Sequence, residues 1–100
     1  MSIRETYLKD CGISAEQQKD IEKRCREARG RDQILLLRAA QEVYPAIAKY
    51  LFMSLTTGKG YDRISRLEEI PISRNDFYGY RRKTIETFFR NYVFEEENTQ

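Results

Sequence analysis

The sequence predicts an all-α protein, a compact bundle of about six helices with a C-terminal helix-turn-helix and a long last helix. Two observations favour this class, and a third excludes a membrane-spanning helix. Clean alternation of apolar and polar residues, the mark of a half-buried strand, is missing from the sequence. Helix-capping signals recur along the chain. The longest apolar runs, residues 34–37 and 50–53, fall far below the roughly 20 apolar residues of a membrane-spanning helix.

The first helix is predicted by a capping box, the reciprocal pairing of a helix-opening serine with a glutamate three residues later. Ser2 and Glu5 have this spacing, and Gly12 is expected to end the helix because glycine adopts the left-handed conformation common at helix ends. The apolar residues of this segment share one face: Ile3, Tyr7 and Cys11.

A second capping box, Ser14 with Gln17, opens a helix that is expected to run to about Ala28 and to be closed by Gly30. Its apolar stripe is thin and consists of Ile21, Cys25 and Ala28. A helix with so narrow an apolar face either touches the core along one edge or pairs with a partner.

The third and fourth predicted helices are the most apolar. Asp32 is the expected cap of the third, which covers the apolar segment 34–43. Pro45 is expected in the first turn of the fourth, where its missing N–H has no cost. The fourth helix has an apolar face with helical spacing, formed by Ile47, Ala48, Leu51, Phe52 and Leu55, and residues 56–60 are expected to stop it.

The last third of the chain predicts a short helix, a break and a long helix. The short helix runs from Tyr61 to about Glu68, and the break covers residues 69–72. Ser73, followed by Asp76, is the expected cap of a last helix that reaches about residue 94. We therefore predict a single helical domain over residues 1–94, a helix-turn-helix over about residues 61–92, and a disordered acidic tail at residues 95–100.

The composition argues against catalysis. Histidine is absent from the sequence, which excludes Ser-His and Cys-His nucleophile pairs and any histidine-containing zinc site. Cys11 and Cys25 alone cannot complete a zinc shell of about four ligands. The triplet Gly58-Lys59-Gly60 lacks the other residues of a phosphate-binding loop. We expect a cytoplasmic, non-enzymatic protein with free thiols, without metal, cofactor, small-molecule substrate or membrane segment.

Residues 60–83 have the layout of a helix-turn-helix, in which a short helix braces a second one for docking in the major groove. Tyr61, Ile64 and Leu67 are expected to brace, Ile72 to fill the corner, and Phe77 to anchor the second helix. On a helical wheel Ile85, Phe88 and Tyr92 lie near Phe77, and the opposite face carries Asn75, Gly79, Arg82, Lys83 and Arg90. Tyrosines interleave with the positive charges at residues 78–83, a pattern that suits phosphate contacts.

Two residues of the second helix leave alternatives open. Gly79 either lets a sugar-phosphate edge approach the backbone or relieves crowding inside the protein. Arg81 falls on the apolar side of the wheel. It is expected to pack its stem there, to pair with an acid from a neighbouring helix, or to contact phosphate.

The pattern Gly60-Tyr61-x-x-Ile64, followed by Ile72-Ser73-x-x-x-Phe77 and a basic run, resembles the DNA-reading C-terminal domain of bacterial sigma factors. The break in this chain is about two residues longer than in that pattern. The wider stretch, roughly residues 44–90, looks like small proteins of Firmicutes phages and mobile elements. Those proteins are related to phage transcription regulators with sigma-like helix-turn-helix domains.

The resemblance implies a set of DNA contacts. Arg74, Asn75, Arg82 and Lys83 correspond to the groove-facing part of the second helix, and Ser73 to its cap. Lys59 and Tyr61 correspond to the start of the bracing helix, near backbone phosphates. With Gly79, these residues form the candidate DNA-binding site.

We therefore expect a small phage- or mobile-element-encoded transcription regulator that binds double-stranded DNA in the host cytoplasm. It would act as a homodimer or beside a host partner such as RNA polymerase, because one module this small buries only about 600–1,000 Å² on DNA. The alternative is a non-enzymatic phage protein that blocks a host protein such as a defence nuclease, as anti-CRISPR proteins do. Its tyrosines and arginines suit protein interfaces as well as DNA.

The net charge of +2 conceals an uneven distribution. Residues 58–92 carry eight basic and five acidic groups, whereas residues 93–100 carry three acidic groups and no basic one. The positive excess therefore lies mostly in the predicted helix-turn-helix, and the acidic tail is positioned in the sequence to compete with phosphate for it.

Overall fold

The computed structural model describes the backbone of residues 14–98 and the side chains of residues 14–92. Within this range the protein is all-helical and compact, and no strand occurs. A 3-10 turn, Pro45–Ile47, precedes the third of five α-helices: α1 (Ala15–Arg26), α2 (Arg31–Val43), α3 (Ala48–Thr57), α4 (Tyr61–Leu67) and α5 (Arg74–Asn98). The helix expected from Ser2 and Glu5, with Cys11 and Gly12, lies outside the described residues.

Local sequence signals account for most helix ends. The capping box of α1 is confirmed, since Ser14 Oγ accepts a hydrogen bond from the Gln17 N–H at 3.1 Å and Gln17 Oε1 accepts one from the Ser14 N–H at 2.9 Å. Gly58 ends α3 in the left-handed conformation, with a φ of 79°. Pro45 opens the 3-10 turn that leads into α3.

Three predicted helix ends need correction. The N-cap of α2 is Gly30, with a φ of 52°, and Asp32 lies inside the first turn. There its negative charge still interacts favourably with the helix dipole. Helix α1 ends at Arg26, two residues before the predicted end. Helix α5 continues past residue 94 to Asn98. Residues 95–97 are glutamates, which propagate a helix well.

Helix α5 is the centre of the fold, because each of the other four helices packs against it. Its longest contact is with α2, and the two helices run antiparallel: Tyr44, after the end of α2, contacts Tyr80 in the first half of α5, whereas Leu36 packs near Phe88. As a result α5 is buried on all sides over residues 84–88.

Two apolar clusters form the core. The first lies between α1, α2, α3 and α5 and contains Ile21, Cys25, Leu35, Leu36, Ala39, Leu55, Ile85 and Phe88. The second joins the end of α2 to α3, α4 and the start of α5 and contains Ala40, Ile47, Ala48, Tyr50, Leu51, Ile64, Ile70 and Phe77. Burial raises the pKa of the Cys25 thiol to about 12, so it behaves as a small apolar side chain at neutral pH.

The residues that join α4 to α5 differ in part from the prediction. Phe77 and Ile64 are fully buried, as expected, but Leu67 is 69% exposed and braces nothing. Helix α4 has fewer than two turns, so its last residue faces away from the core as the chain reverses. Ile70 from the break is buried in its place, and Ile72 is half-buried against the same cluster.

Arg81 ties three helices together. Its Nη1 donates to Glu22 Oε1 on α1 at 2.8 Å, and its Nε donates to Ser54 Oγ on α3 at 2.8 Å. Ser54 Oγ in turn donates to the Lys59 carbonyl, 2.7 Å away, in the turn before α4. Of the roles considered for Arg81, pairing with an acid of a neighbouring helix is confirmed.

Replacing Arg81 should weaken the fold. Arg81→Ala leaves the half-buried Glu22 carboxylate and the buried Ser54 hydroxyl without their donor. We expect the free energy of unfolding to fall by about 1–3 kcal/mol. Urea denaturation of this variant and of Arg66→Ala, which removes an exposed arginine of α4, checks this expectation. Equal denaturation midpoints for the two variants would contradict it.

Candidate nucleic-acid interface

The start of α4 is attached to α5 through a set of tyrosines. Tyr78 Oη accepts a hydrogen bond from the Tyr61 N–H at 3.0 Å, and Tyr61 Oη donates to the Ile72 carbonyl at 2.8 Å. The Phe77 ring lies edge-on to both tyrosine rings, with centroid distances of 5.5 and 5.6 Å. A Cβ at Gly60 would lie 2.6 Å from Tyr78 Oη, so only glycine fits there without a shift. These contacts fix the orientation of α4 relative to α5.

The first turn of α5 faces solvent. Ser73 Oγ accepts a hydrogen bond from the Asp76 N–H at 3.2 Å, which is the expected capping contact. Arg74 and Asn75 are both exposed. Arg74 Nη2 lies 2.6 Å from Asp62 Oδ1 of α4, in an ion pair with both side chains more than half exposed. An exposed pair of this kind contributes little to stability, so phosphate can compete for Arg74.

Arg82 and Lys83 lie two turns further along α5, about 12 Å from Arg74 along the helix axis. Both side chains are half-buried. The Lys83 Nζ lies 5.9 Å from the centroid of the Tyr80 ring, within reach of a cation–π interaction. The two cations therefore form a positively charged area on the side of α5, separate from its first turn.

Two further candidates lie at the beginning of α4. Lys59 is half-buried, and its backbone is held by the Ser54 hydroxyl on one side and by Thr57 Oγ1, 3.2 Å from its N–H, on the other. Tyr61 is half-buried, and its phenolic hydroxyl is engaged with the Ile72 carbonyl. Helix α4 also exposes Arg63 and Arg66, which the sequence prediction did not include.

Gly79 is buried, so the prediction that it lies on the exposed face is wrong. A helical wheel assumes one buried face, but α5 has neighbours on several sides. Tyr78 takes the exposed position instead: Asn75, Tyr78 and Arg82 follow each other at spacings of three and four residues. The alternation of tyrosines with basic residues at 78–83 was the sequence signal that could have added Tyr78 to the candidates.

Two acidic residues near this surface are paired with basic side chains, whereas Asp76 in the first turn of α5 is exposed. Asp62 is paired with Arg74, and Glu68 Oε1 lies 2.6 Å from Lys49 Nζ. This hydrogen bond lowers the pKa of Glu68.

Among the described residues no group of three or more acidic or thiol side chains could hold a metal ion. No helix in the same part of the chain is both long and apolar enough to cross a membrane.

Glu86 is a buried acidic residue, which the sequence alone did not predict. Its side chain is 1% exposed, and within the described structure neither carboxylate oxygen has a hydrogen-bond partner. Burial raises the pKa of Glu86 to about 7, although the positive charges of Arg82 and Lys83 oppose this shift. In sequence alone Glu86 resembles an ordinary surface partner of Arg82, one turn away.

Comparison with known proteins finds no matching family, no matching curated protein and no matching solved structure.

The protonation of Glu86 makes the stability of the fold depend on pH. The folded-state pKa of about 7 lies above the ordinary value of 4.5, so the folded protein holds the proton more tightly than the unfolded chain. Stability is therefore greatest below about pH 4.5 as far as this group is concerned, and it falls as pH rises through 7.

Glu86→Gln removes this titration. We expect the variant to exceed the parent protein in unfolding free energy by about 1–3 kcal/mol at pH 8.5, and to match it closely near pH 4.5. Denaturant unfolding across this pH range checks the expectation. Glu69→Gln, at an exposed position in the break, serves as the control and should leave the pH profile unchanged. Parallel profiles for the Glu86 variant and the parent would contradict the assignment.

Proposed function

We propose that the protein is a small DNA-binding regulator of transcription, in which α4 braces α5 in a sigma-like helix-turn-helix and α5 enters the major groove of duplex DNA. The observation that carries this proposal is the first turn of α5. It exposes Arg74 and Asn75 beside the Ser73 cap, on a helix that the Tyr61–Tyr78 hydrogen bond holds against α4. A recognition helix needs an exposed polar end on a rigid support.

The roles of the side chains follow from their chemistry. Asn75 has a carboxamide that can pair with the N6 and N7 positions of adenine, the usual contact of this residue in the major groove. Arg82 and Lys83, together with Arg63 and Arg66 on α4, suit contacts to backbone phosphates. Such contacts position the protein without reading the sequence.

The electrostatic balance supports binding that is weak for one copy and sensitive to salt. On binding DNA, Arg74 exchanges the exposed carboxylate of Asp62 for a phosphate. This exchange costs little free energy, because an exposed ion pair contributes little to stability. Partial protonation of Glu86 at neutral pH removes negative charge beside Arg82 and Lys83. A single module of this size has a small interface, so we expect function to involve a second copy or a protein partner such as RNA polymerase.

The alternative function is binding to a host protein, as an inhibitor or adaptor. One observation favours it: Ile34 and Leu37, 55% and 36% exposed, lie one turn apart on the outer side of α2. Adjacent exposed aliphatic side chains are typical of protein contacts. A protein that shows no duplex binding at about 50 mM salt, but forms a stoichiometric complex with a host protein that Leu37→Asp abolishes, would have this second function.

Binding to a random DNA duplex tests the first function. Arg82→Ala with Lys83→Ala should weaken binding to every duplex sequence alike and reduce the slope of log K against log salt by about 2, because two phosphate contacts are lost. Fluorescence anisotropy between about 50 and 200 mM salt measures both quantities. The control, Lys19→Ala with Lys23→Ala, removes the same charge from exposed positions on α1. Equal losses in both double variants would exclude the assigned surface.

Asn75→Ala should change sequence preference rather than general affinity. Loss of a bidentate contact to one base removes about 1–3 kcal/mol of discrimination at that position. Selection of preferred sites from a randomised duplex pool, carried out with the parent protein and the variant, measures the change. Identical selected sites would show that Asn75 does not read a base.

A further inference from the structure

The outer face of α2 presents aliphatic side chains to solvent. Ile34 and Leu37 lie one turn apart on this face and are 55% and 36% exposed. Gln41 follows after a further turn and is exposed as well. On the opposite face, Leu36 and Ala39 are fully buried in the first core cluster. Helix α2 therefore has one side in the core and a second, partly apolar side that faces outwards.

Charged residues mark the two ends of this outer face. Arg29 and Arg31 lie at the start of α2 and Glu42 at its end, and all three are exposed. Asp32 is half-buried on the core side of the first turn. Arg38 lies four residues before Glu42, a spacing at which the carboxylate balances its charge within the helix. The face is therefore basic at its start, aliphatic in the middle and acidic at its end.

A face with this order of residues is complementary to a second copy of itself when the two helices run antiparallel. A two-fold axis between residues 35 and 36 brings Ile34 of each copy opposite Leu37 of the other. The same register places Glu42 of each copy beside Arg29 of the other. Every contact in such an isologous interface is made twice, so the two ends of the contact each gain a pair of opposite charges.

The size of the face predicts a weak dimer. From Arg29 to Glu42 it is about 20 Å long, at the rise of an α-helix. A single pair of helices of this length falls below the roughly 1,200 Å² of buried surface at which stable, specific interfaces begin. We therefore expect self-association that depends on protein concentration, with a dissociation constant on the order of 0.1 mM.

We propose that the outer face of α2 is a dimerisation surface, on which a second copy of this chain packs its own α2 in antiparallel orientation. Ile34 and Leu37 of both copies form the apolar centre. Glu42 of each copy pairs with Arg29 of the other. Two-fold symmetry supplies the matching order of charges without a second sequence, which favours a second copy over an unrelated protein. The dimer occupies the surface that binding to a host protein would require, and it forms without DNA.

The dimer also sets the spacing of the candidate recognition helices. Tyr44, at the end of α2, contacts Tyr80 of α5, and in the antiparallel register the two Tyr44 residues are about 26 Å apart along α2. Arg74 lies up to about 9 Å further out, because α5 runs back along α2. The two first turns are then between about 26 and 44 Å apart, a range that includes the 34–36 Å between adjacent half-sites on DNA. This consequence alone rests on the proposed function.

Sedimentation equilibrium of the full chain without DNA tests the dimer. We expect the mean mass to rise from that of one copy towards that of two as the protein concentration increases from about 10 µM to about 1 mM. The mass of one copy at every concentration would overturn the proposal, as would growth beyond two copies, because a two-fold contact closes. Neither outcome decides the proposed function, since a single copy is expected to bind a duplex weakly.

Leu37→Asp should raise the dimer dissociation constant about tenfold or more, because it removes two leucines from the apolar centre of each dimer. Leu67→Asp serves as the control, since it introduces the same charge at a leucine of α4 that is 69% exposed. It should leave the constant unchanged. Circular dichroism is expected to show the helix content of the parent protein in both variants. Equal effects of the two substitutions on the constant would contradict the assigned surface.

An exchange of charges tests the antiparallel orientation. Arg29→Glu and Glu42→Arg should each raise the dissociation constant about three- to tenfold, because each places like charges at both ends of the contact. The double variant restores both pairs with reversed signs, and its constant should return to within about twofold of the parent value. Single variants without effect, or a double variant that dimerises less well than either single variant, would overturn this packing.

Discussion

The arrangement of the helices depends on the guanidinium group of Arg81. It lies inside the bundle, where its charge is balanced by Glu22 of α1 and where its Nε–H bonds to Ser54 of α3. The Ser54 hydroxyl in turn donates a hydrogen bond to the Lys59 carbonyl, which connects Arg81 to the turn before α4. A flexible or uncharged side chain at position 81 would leave those three attachments independent of one another. One residue of the central helix thus sets where α1, α3 and α4 stand around it.

The corner between α4 and α5 uses a second kind of constraint, close packing of rings against backbone. Ile70 from the break is buried beneath it, and the Tyr61 hydroxyl donates a hydrogen bond to the Ile72 carbonyl. Tyr78 reaches back over Gly60, at a distance that a larger residue would not permit. These contacts tie the break to both helices.

Local signals in the sequence predicted most of the helices but little of what surrounds α5. Capping by Ser14, termination at Gly58 and the buried face of Phe77, Ile85 and Phe88 depend on neighbours along the chain, and these predictions are confirmed. The burial of Gly79 was missed because α5 is enclosed by several helices. Likewise, Arg81 and Glu22 are 59 residues apart in sequence, so no local pattern identifies the pair. Of the candidate interface, the exposed first turn of α5 could be predicted, whereas the partner of Arg74 could not.

Because α5 is both the core helix and the candidate interface, a change on its surface also acts on the core. Arg82 and Lys83 oppose the effect of burial on Glu86, so removing both cations raises the pKa of that carboxyl further and makes its ionised form more costly above neutral pH. A loss of DNA binding in that double variant then combines a lost phosphate contact with a weakened fold. Glu86→Gln separates the two, since an uncharged side chain at position 86 does not respond to the charges at 82 and 83. In that background, the double substitution no longer weakens the fold through ionisation at position 86, and a remaining loss of affinity in the folded variant belongs to the interface.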